Sequence, residues 1–167
     1  MKGMSRLLTA ALVVGVGLLL AGPALADSDT GGGTVEILAA VTVTNTADMD
    51  FGEIVAPTSG NQDFVMAAAT GAVTPGAGDG EAYGSPAAAS FTITGDGSHA
   101  ITSNAVVTTD FTDASLTLGS LTTAGDTATI PGGGTGTITV GGTLNVTSGI
   151  STGTYNDAVI TLTVNYQ

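Results

Sequence analysis

Ala158-Val159-Ile160-Thr161-Leu162-Thr163-Val164-Asn165-Tyr166-Gln167 closes the chain, and from Ile160 onward its apolar and polar side chains alternate strictly. In an extended strand successive side chains point to opposite faces, so Ala158, Ile160, Leu162, Val164 and Tyr166 share one apolar face. Thr161, Thr163 and Asn165 fall on the other. Period two over this length predicts a half-buried β-strand rather than a helix, which would need apolar residues every three to four positions.

The same alternation recurs near the other end. Val35, Ile37, Ala39, Val41 and Val43 fall on one face, with Glu36, Thr42 and Thr44 opposite. Between the two ends, further candidate strands run from Phe64 to Ala68, Ala89 to Ile93, His99 to Ser103, Ser115 to Leu118, Thr127 to Ile130, Gly136 to Val140 and Thr143 to Val146. Turn-forming sequences separate them: Thr58-Ser59-Gly60-Asn61, Gly76 to Gly80, Gly95-Asp96-Gly97, Gly125-Asp126, Pro131 to Gly134 and Thr152-Gly153. Gly132 to Gly136 reads as a hairpin loop and Gly141-Gly142 as the next turn. Many short strands with Gly and Asp turns predict an all-β antiparallel β-sandwich. Its core should be aliphatic, with Phe51, Phe64, Phe91 and Tyr155 as isolated aromatic anchors. Gly71 to Ala87, which lacks a strand pattern, reads as a surface loop.

The N-terminus has a different character. Lys2 and Arg6, the chain's two basic side chains, precede an apolar run from Leu7 to Leu20 and then Ala24-Leu25-Ala26. A basic start, a short apolar middle and a small-residue A-x-A end make a secretory signal peptide over residues 1–26. The run is too short and too interrupted by Gly for a comfortable membrane span, and the exported form should have none. A polar, Gly-rich segment at 27–33 reads as flexible, and a β-sandwich domain is expected over 34–167. Such a chain is expected in the periplasm, at the cell surface or outside the cell.

Composition then excludes whole classes of function. All fourteen acids lie beyond Ala26, so cleavage there leaves a charge of about −14 with no Lys, Arg or Cys. Nucleic acid is bound through basic side chains that release counterions, so nucleic-acid binding is disfavoured. Disulfides and Lys-based cross-links are impossible. A phosphate-cradling loop at Gly132 to Gly136 would need the Lys and helix of a P-loop, and the sequence has neither. His99 is the one histidine and follows a Gly-rich turn, so it reads as exposed and non-catalytic; no G-x-S-x-G elbow is present. Asp48-Met49-Asp50-Phe51-Gly52-Glu53, Asp27 to Gly31 and Gly78-Asp79-Gly80-Glu81 superficially resemble starts of calcium loops. The first two fail the EF-hand pattern, with Ser59 or Leu38 where the twelfth-position Glu belongs, and the third offers only two carboxylates. No cofactor, metal or enzymatic activity is expected.

Four blocks taken in order resemble a known family. Thr46-Ala47-Asp48-Met49-Asp50-Phe51-Gly52-Glu53-Ile54, Ser90-Phe91-Thr92-Ile93-Thr94-Gly95, Val140-Gly141-Gly142-Thr143-Leu144, and Gly153-Thr154-Tyr155 leading to Val164-Asn165-Tyr166-Gln167 are similar to the bacterial domain of unknown function family 4402. That family resembles the spore coat protein U domain and the chaperone–usher pilins. The resemblance implies an immunoglobulin-like, pilin-like sandwich, lacking a strand and completed by an N-terminal strand from a neighbour. It also implies a cell-surface fimbrium or coat, with self-association or a pilus-type chaperone and usher as partners. Gly153, fourteen residues before Gln167, and the penultimate Tyr166 are similar to the chaperone-recognition strand of such pilins; an ordinary final sandwich strand would alternate in the same way. Many pilins carry a disulfide near their first strands, and this chain departs from them there.

Two functional expectations follow. The first is a secreted structural subunit of a fibre or coat that assembles by β-strand addition, with Val35, Ile37, Ala39, Val41 and Val43 as donor face and Ile160, Leu162, Val164 and Tyr166 on the acceptor face. The equal alternative for Thr34 to Thr44 is a first strand of its own domain. The second is a monomeric extracellular adhesin or binding module, using the Gly71 to Ala87 loop and acidic turns, with calcium as a possible ligand.

Overall fold

A computed structural model describes residues 29–167; the signal peptide read over 1–26 lies outside them, as do Asp27 and Ser28. Every regular element among the described residues is a strand. The strands are β1 (Thr42–Ala47), β2 (Glu53–Val55), β3 (Asn61–Met66), β4 (Val73–Pro75), β5 (Glu81–Tyr83), β6 (Ala89–Thr94), β7 (Ile101–Thr109), β8 (Leu116–Gly125), β9 (Thr135–Thr147) and β10 (Val159–Tyr166). All named pairings are antiparallel, as the sequence predicts.

β9 organises the sheet. Its residues alternate buried and less buried along most of its length, and β8 pairs with it from Gly125↔Ile138 to Leu116↔Val146. A strand has two edges, so β6 and β3 share the other one. β6 takes Thr135 to Val140, and β3 takes Thr143 to Thr147. β1 adds to β6 and β4 to β3. The Gly141-Gly142 pair lies between these two halves and opposite a register shift in β8 between Gly119 and Thr122. The sequence reading placed a turn there, but the strand continues. A Cβ at Gly141 would strike backbone atoms of Met66 and Ala68, so the glycine serves a close approach rather than a reversal.

Each half of β9 covers its own cluster. Ile138 and Val140 join Ala89, Phe91 and Ile93 of β6, Ile101 of β7 and Leu162 and Val164 of β10 in the larger one. The separate β7–β10 ladder thus forms the second layer of the sandwich over β6 and β9. Leu144 and Val146 join Phe64 and Leu116 in the smaller cluster, with Phe51, Phe111 and Tyr155 packed around it. Burying an aliphatic or aromatic side chain contributes about 1.5–3 kcal/mol, and Phe64, Ile93, Ile138 and Val140 are completely enclosed.

Several boundaries differ from the sequence reading. Gly71 to Ala87 is not one open loop. It contains β4 and β5, each too short to show alternation, and β5 pairs with the overlooked β2. Buried Gln62 ties this region down, donating from Nε2 to the carbonyls of Gly76 and Gly80 and accepting from Gly80 N–H. Thr127 to Ile130 forms only a bridge between Thr129 and Ala100, although Ile130 is fully buried. β7 continues to Thr109, well past Ser103. The Thr34 to Thr44 alternation becomes a strand only at Thr42.

Candidate functional site

The donor-face residues divide into two groups. Val41 and Val43 are half-buried against the larger core cluster, which is the behaviour of a first strand in its own domain. Val35 and Ile37 are 84% and 87% exposed, and Ala39 is exposed too. The apolar face changes over at Ala39-Ala40, where Leu38 rather than Ile37 is partly covered. Large aliphatic side chains at such exposure, in a segment without strand partners, form an apolar stripe open to an outside contact.

A polar clasp fixes the root of this segment. Ala39 N–H donates to Asp96 Oδ2 at 2.5 Å. Tyr166 Oη donates to the Ala39 carbonyl at 3.0 Å and accepts from Asp96 N–H at 2.7 Å. The phenol can approach because residue 95 is glycine: a Cβ there would lie 2.5 Å from Tyr166 Oη and 2.8 Å from Ile130 Cδ1. His99, read from the sequence as exposed, is half-buried instead. Its ring meets the Tyr166 ring edge-on at 6.0 Å, its Nδ1 lies 3.1 Å from the Gly97 carbonyl, and its Nε2 lies 3.7 Å from Glu36 Oε1. The Gly95 to His99 turn therefore holds the chain where the exposed stripe begins.

On the C-terminal strand the residues of the predicted apolar face are less exposed than those between them. Leu162 and Val164 are buried, while Ala158, Ile160 and Tyr166 are half-buried. The structure does, however, divide its roles. Leu162 and Val164 are already covered by their own core, and Tyr166 is engaged in the clasp. Ala158 and Ile160 instead line an open groove.

That groove, about 590 Å³, opens between the end of β1 and the start of β10. Met49 and Phe51 form one wall, Phe111 and Tyr155 another, with Ala89 and Leu118 beneath. It falls between the two core clusters, since Met49 and Ile160 pack on one and Phe51, Phe111 and Tyr155 on the other. β1 pairs only with β6 and β10 only with β7, so among the described residues each presents an open edge beside the groove.

Carboxylates hold the loops that carry the aromatic wall. Asp110 Oδ1 accepts from the N–H groups of Phe111 and Leu118, and Asp157 Oδ2 from Thr112 N–H. The hydrogen bonds from Thr112 keep the Asp157 carboxyl below its ordinary value. Those from Ser115 do the same for Asp113, and partial desolvation, with the Asp113 charge beside it, pushes the Tyr155 phenol up. Asp79, in the acidic loop considered for calcium, is occupied by Thr58, whose N–H and hydroxyl both donate to it and lower its pKa. Among the described residues no three His, Asp or Glu side chains gather into a metal-holding group.

Asp96 and Phe111 are the site residues that sequence reading passed over. Asp96 looked like an ordinary turn residue, and nothing local marks its partner Ala39, far away in the chain. Phe111 follows Asp110 outside any recognised strand.

Comparison with known proteins gives one result. A family model described as a domain of unknown function (DUF4402) matches residues 41–166, which takes in every strand and leaves the exposed stripe outside. No curated protein and no solved structure matches the chain.

Proposed function

The chain belongs to the DUF4402 family, and from that premise we propose that it is a secreted, pilin-like structural subunit of a cell-surface fibre or coat, assembled by β-strand addition. The observation that carries the reading is the exposure of Val35 and Ile37, continuous with a chain whose β1 and β10 edges are both unpaired among the described residues. Strand addition needs a segment with apolar side chains on one face and free main-chain groups to receive it. With no Cys and no Lys or Arg beyond Arg6, hydrogen-bonded pairing and apolar contact are the main means left to join subunits. A pilus-type chaperone and usher fit as export partners, because open edges invite premature pairing. The role is structural, not enzymatic.

The monomeric adhesin reading has less support. The region it would use is tied down by Gln62, and the Asp79 carboxylate is engaged by Thr58. An unboiled detergent gel of the exported protein tests the proposal. A ladder that Ile37→Asp abolishes is expected, and a single monomer band from the unsubstituted chain refutes it.

A further inference from the structure

Independently of strand addition, we propose that the groove between Met49–Phe51 and Tyr155–Ile160 is a binding site for a small organic cation, an alkylated or quaternary ammonium on a short carbon body. The fold brings two unlike kinds of side chain together there. Phe51, Phe111 and Tyr155 line the groove on two walls, and Asp48 and Asp50 stand on its border. Aromatic rings and carboxylates share one property, an attraction for positive charge: the ring through the negative potential of its face, the acid through its full charge.

Both walls are held in place before any ligand arrives. Asn45 Nδ2 donates to Asp48 Oδ1 at 2.9 Å, and Gly52 N–H donates to Asp50 Oδ1 at 2.8 Å. The Asp50 backbone is pinned as well, since its N–H and carbonyl both pair with Ala87. Opposite, Tyr155 Oη donates to the Ser151 carbonyl at 2.7 Å, and Asp110 accepts from Phe111 N–H. Further negative charge lies close to this second wall. Partial desolvation and the charge of Asp113 together push the Tyr155 phenol up, and Asp157 sits between the groove-lining Asn156 and Ala158.

The chain supplies no counter-charge of its own. It has no Lys or Arg beyond Arg6, and its one imidazole, His99, packs on Tyr166 at the far end of β10 from the groove. The lining then selects the kind of cation. A bare metal ion needs several converging oxygens, and among the described residues no three His, Asp or Glu side chains gather. An anion would meet carboxylates and no basic side chain. A neutral apolar molecule would strip water from the acids and put nothing in its place. An alkylated ammonium meets both demands, with its charge towards Asp48, Asp50 and the rings and its carbon shell on Met49, Ala158 and Ile160. The groove volume of about 590 Å³ lies within the roughly 300–1,000 Å³ range of small-molecule sites.

Choline and its uncharged isostere 3,3-dimethylbutan-1-ol make the probe pair, because they differ only in a charged nitrogen against a carbon. Titrated by calorimetry into the exported chain, choline should bind at one saturable site about ten-fold more tightly than the alcohol. Asp48→Asn with Asp50→Asn keeps the acceptors that Asn45 and Gly52 N–H use. It should weaken choline roughly ten-fold while leaving the alcohol and the thermal midpoint unchanged. Phe111→Leu removes a ring but not the apolar wall and should weaken choline several-fold; Tyr155→Leu serves the same purpose if that variant does not fold. Three results overturn the inference: no saturable choline binding, equal affinity for the two probes, or choline binding that survives both the acid and the aromatic replacements.

Discussion

Replacing Tyr166 with Phe removes one oxygen and with it two of the clasp's three hydrogen bonds, leaving the one from Ala39 N–H to Asp96. Asp96 N–H, at 2.7 Å, and the Ala39 carbonyl, at 3.0 Å, lose their partner. An intramolecular hydrogen bond contributes about 0.5–1.5 kcal/mol net. The Ala39 carbonyl is exposed and regains water, whereas the Asp96 amide is partly buried and does so less easily. The expected loss is therefore about 1–2 kcal/mol. For a urea slope of about 1–3 kcal/mol per molar, the unfolding midpoint should fall by about 0.3–2 M with unchanged slope, and the Asp96 amide should exchange faster with solvent. Gly95→Ala should cost at least as much, because its Cβ occupies the space of the phenol oxygen. Adding Tyr166→Phe to it should then cost little more, since neighbouring changes on one interaction are not additive. A midpoint moved by less than about 0.2 M, an unaltered Asp96 exchange rate, or full additivity would refute the clasp.

Other consequences are as concrete. Phe64→Ala, at a completely buried position of the smaller cluster, should destabilise by about 3–5 kcal/mol, read from chemical denaturation. Gly141→Ala should lower the thermal midpoint far more than Gly133→Ala, because a Cβ at 141 meets backbone of Met66 and Ala68 while one at 133 meets nothing. The carboxyls of Asp79, Asp113 and Asp157 are lowered by hydrogen bonds. A folded value below the unfolded one contributes stability above the ordinary carboxylate range, and that contribution is lost as pH falls through the folded value. Carboxyl NMR titration should show Asp79 returning towards its ordinary value in Thr58→Val, with the other two unmoved.

The fold was legible where burial is one-sided. Alternation in Ala89 to Ile93 and Ile160 to Tyr166 reports an inward face directly, and both segments are strands with that face buried. It was illegible where pairing is short or where a strand crosses between clusters. β2, β4 and β5 span three residues each, and a Gly pair looks the same in sequence whether it turns a chain or lets another chain pass close. The candidate site was half legible. Val35 and Ile37 are exposed in a segment without strand partners, whereas Val41 and Val43 pack on their own core, and Leu162, Val164 and Tyr166 were assigned to reception when their own core and the clasp already hold them. Phe111 and Asp96 gain their roles from partners distant in sequence, which a local pattern does not encode.

The central place of β9 also governs when the molecule can take shape. β3 and β6 both pair with it, yet both are synthesised long before it, and β8 completes its other side only through the adjoining hairpin. Until Thr135 to Thr147 has emerged, Phe64, Phe91 and Ile93 have no sheet to close over them. Such non-local pairing is slow, because loop closure must precede any gain from contact. A chain crossing a membrane amino end first would present these side chains uncovered for the longest part of its passage, a period when collision with its own kind leads to aggregation. The strand that makes the finished domain coherent is therefore also the one whose late arrival leaves the unfinished chain longest open to collision with its own kind.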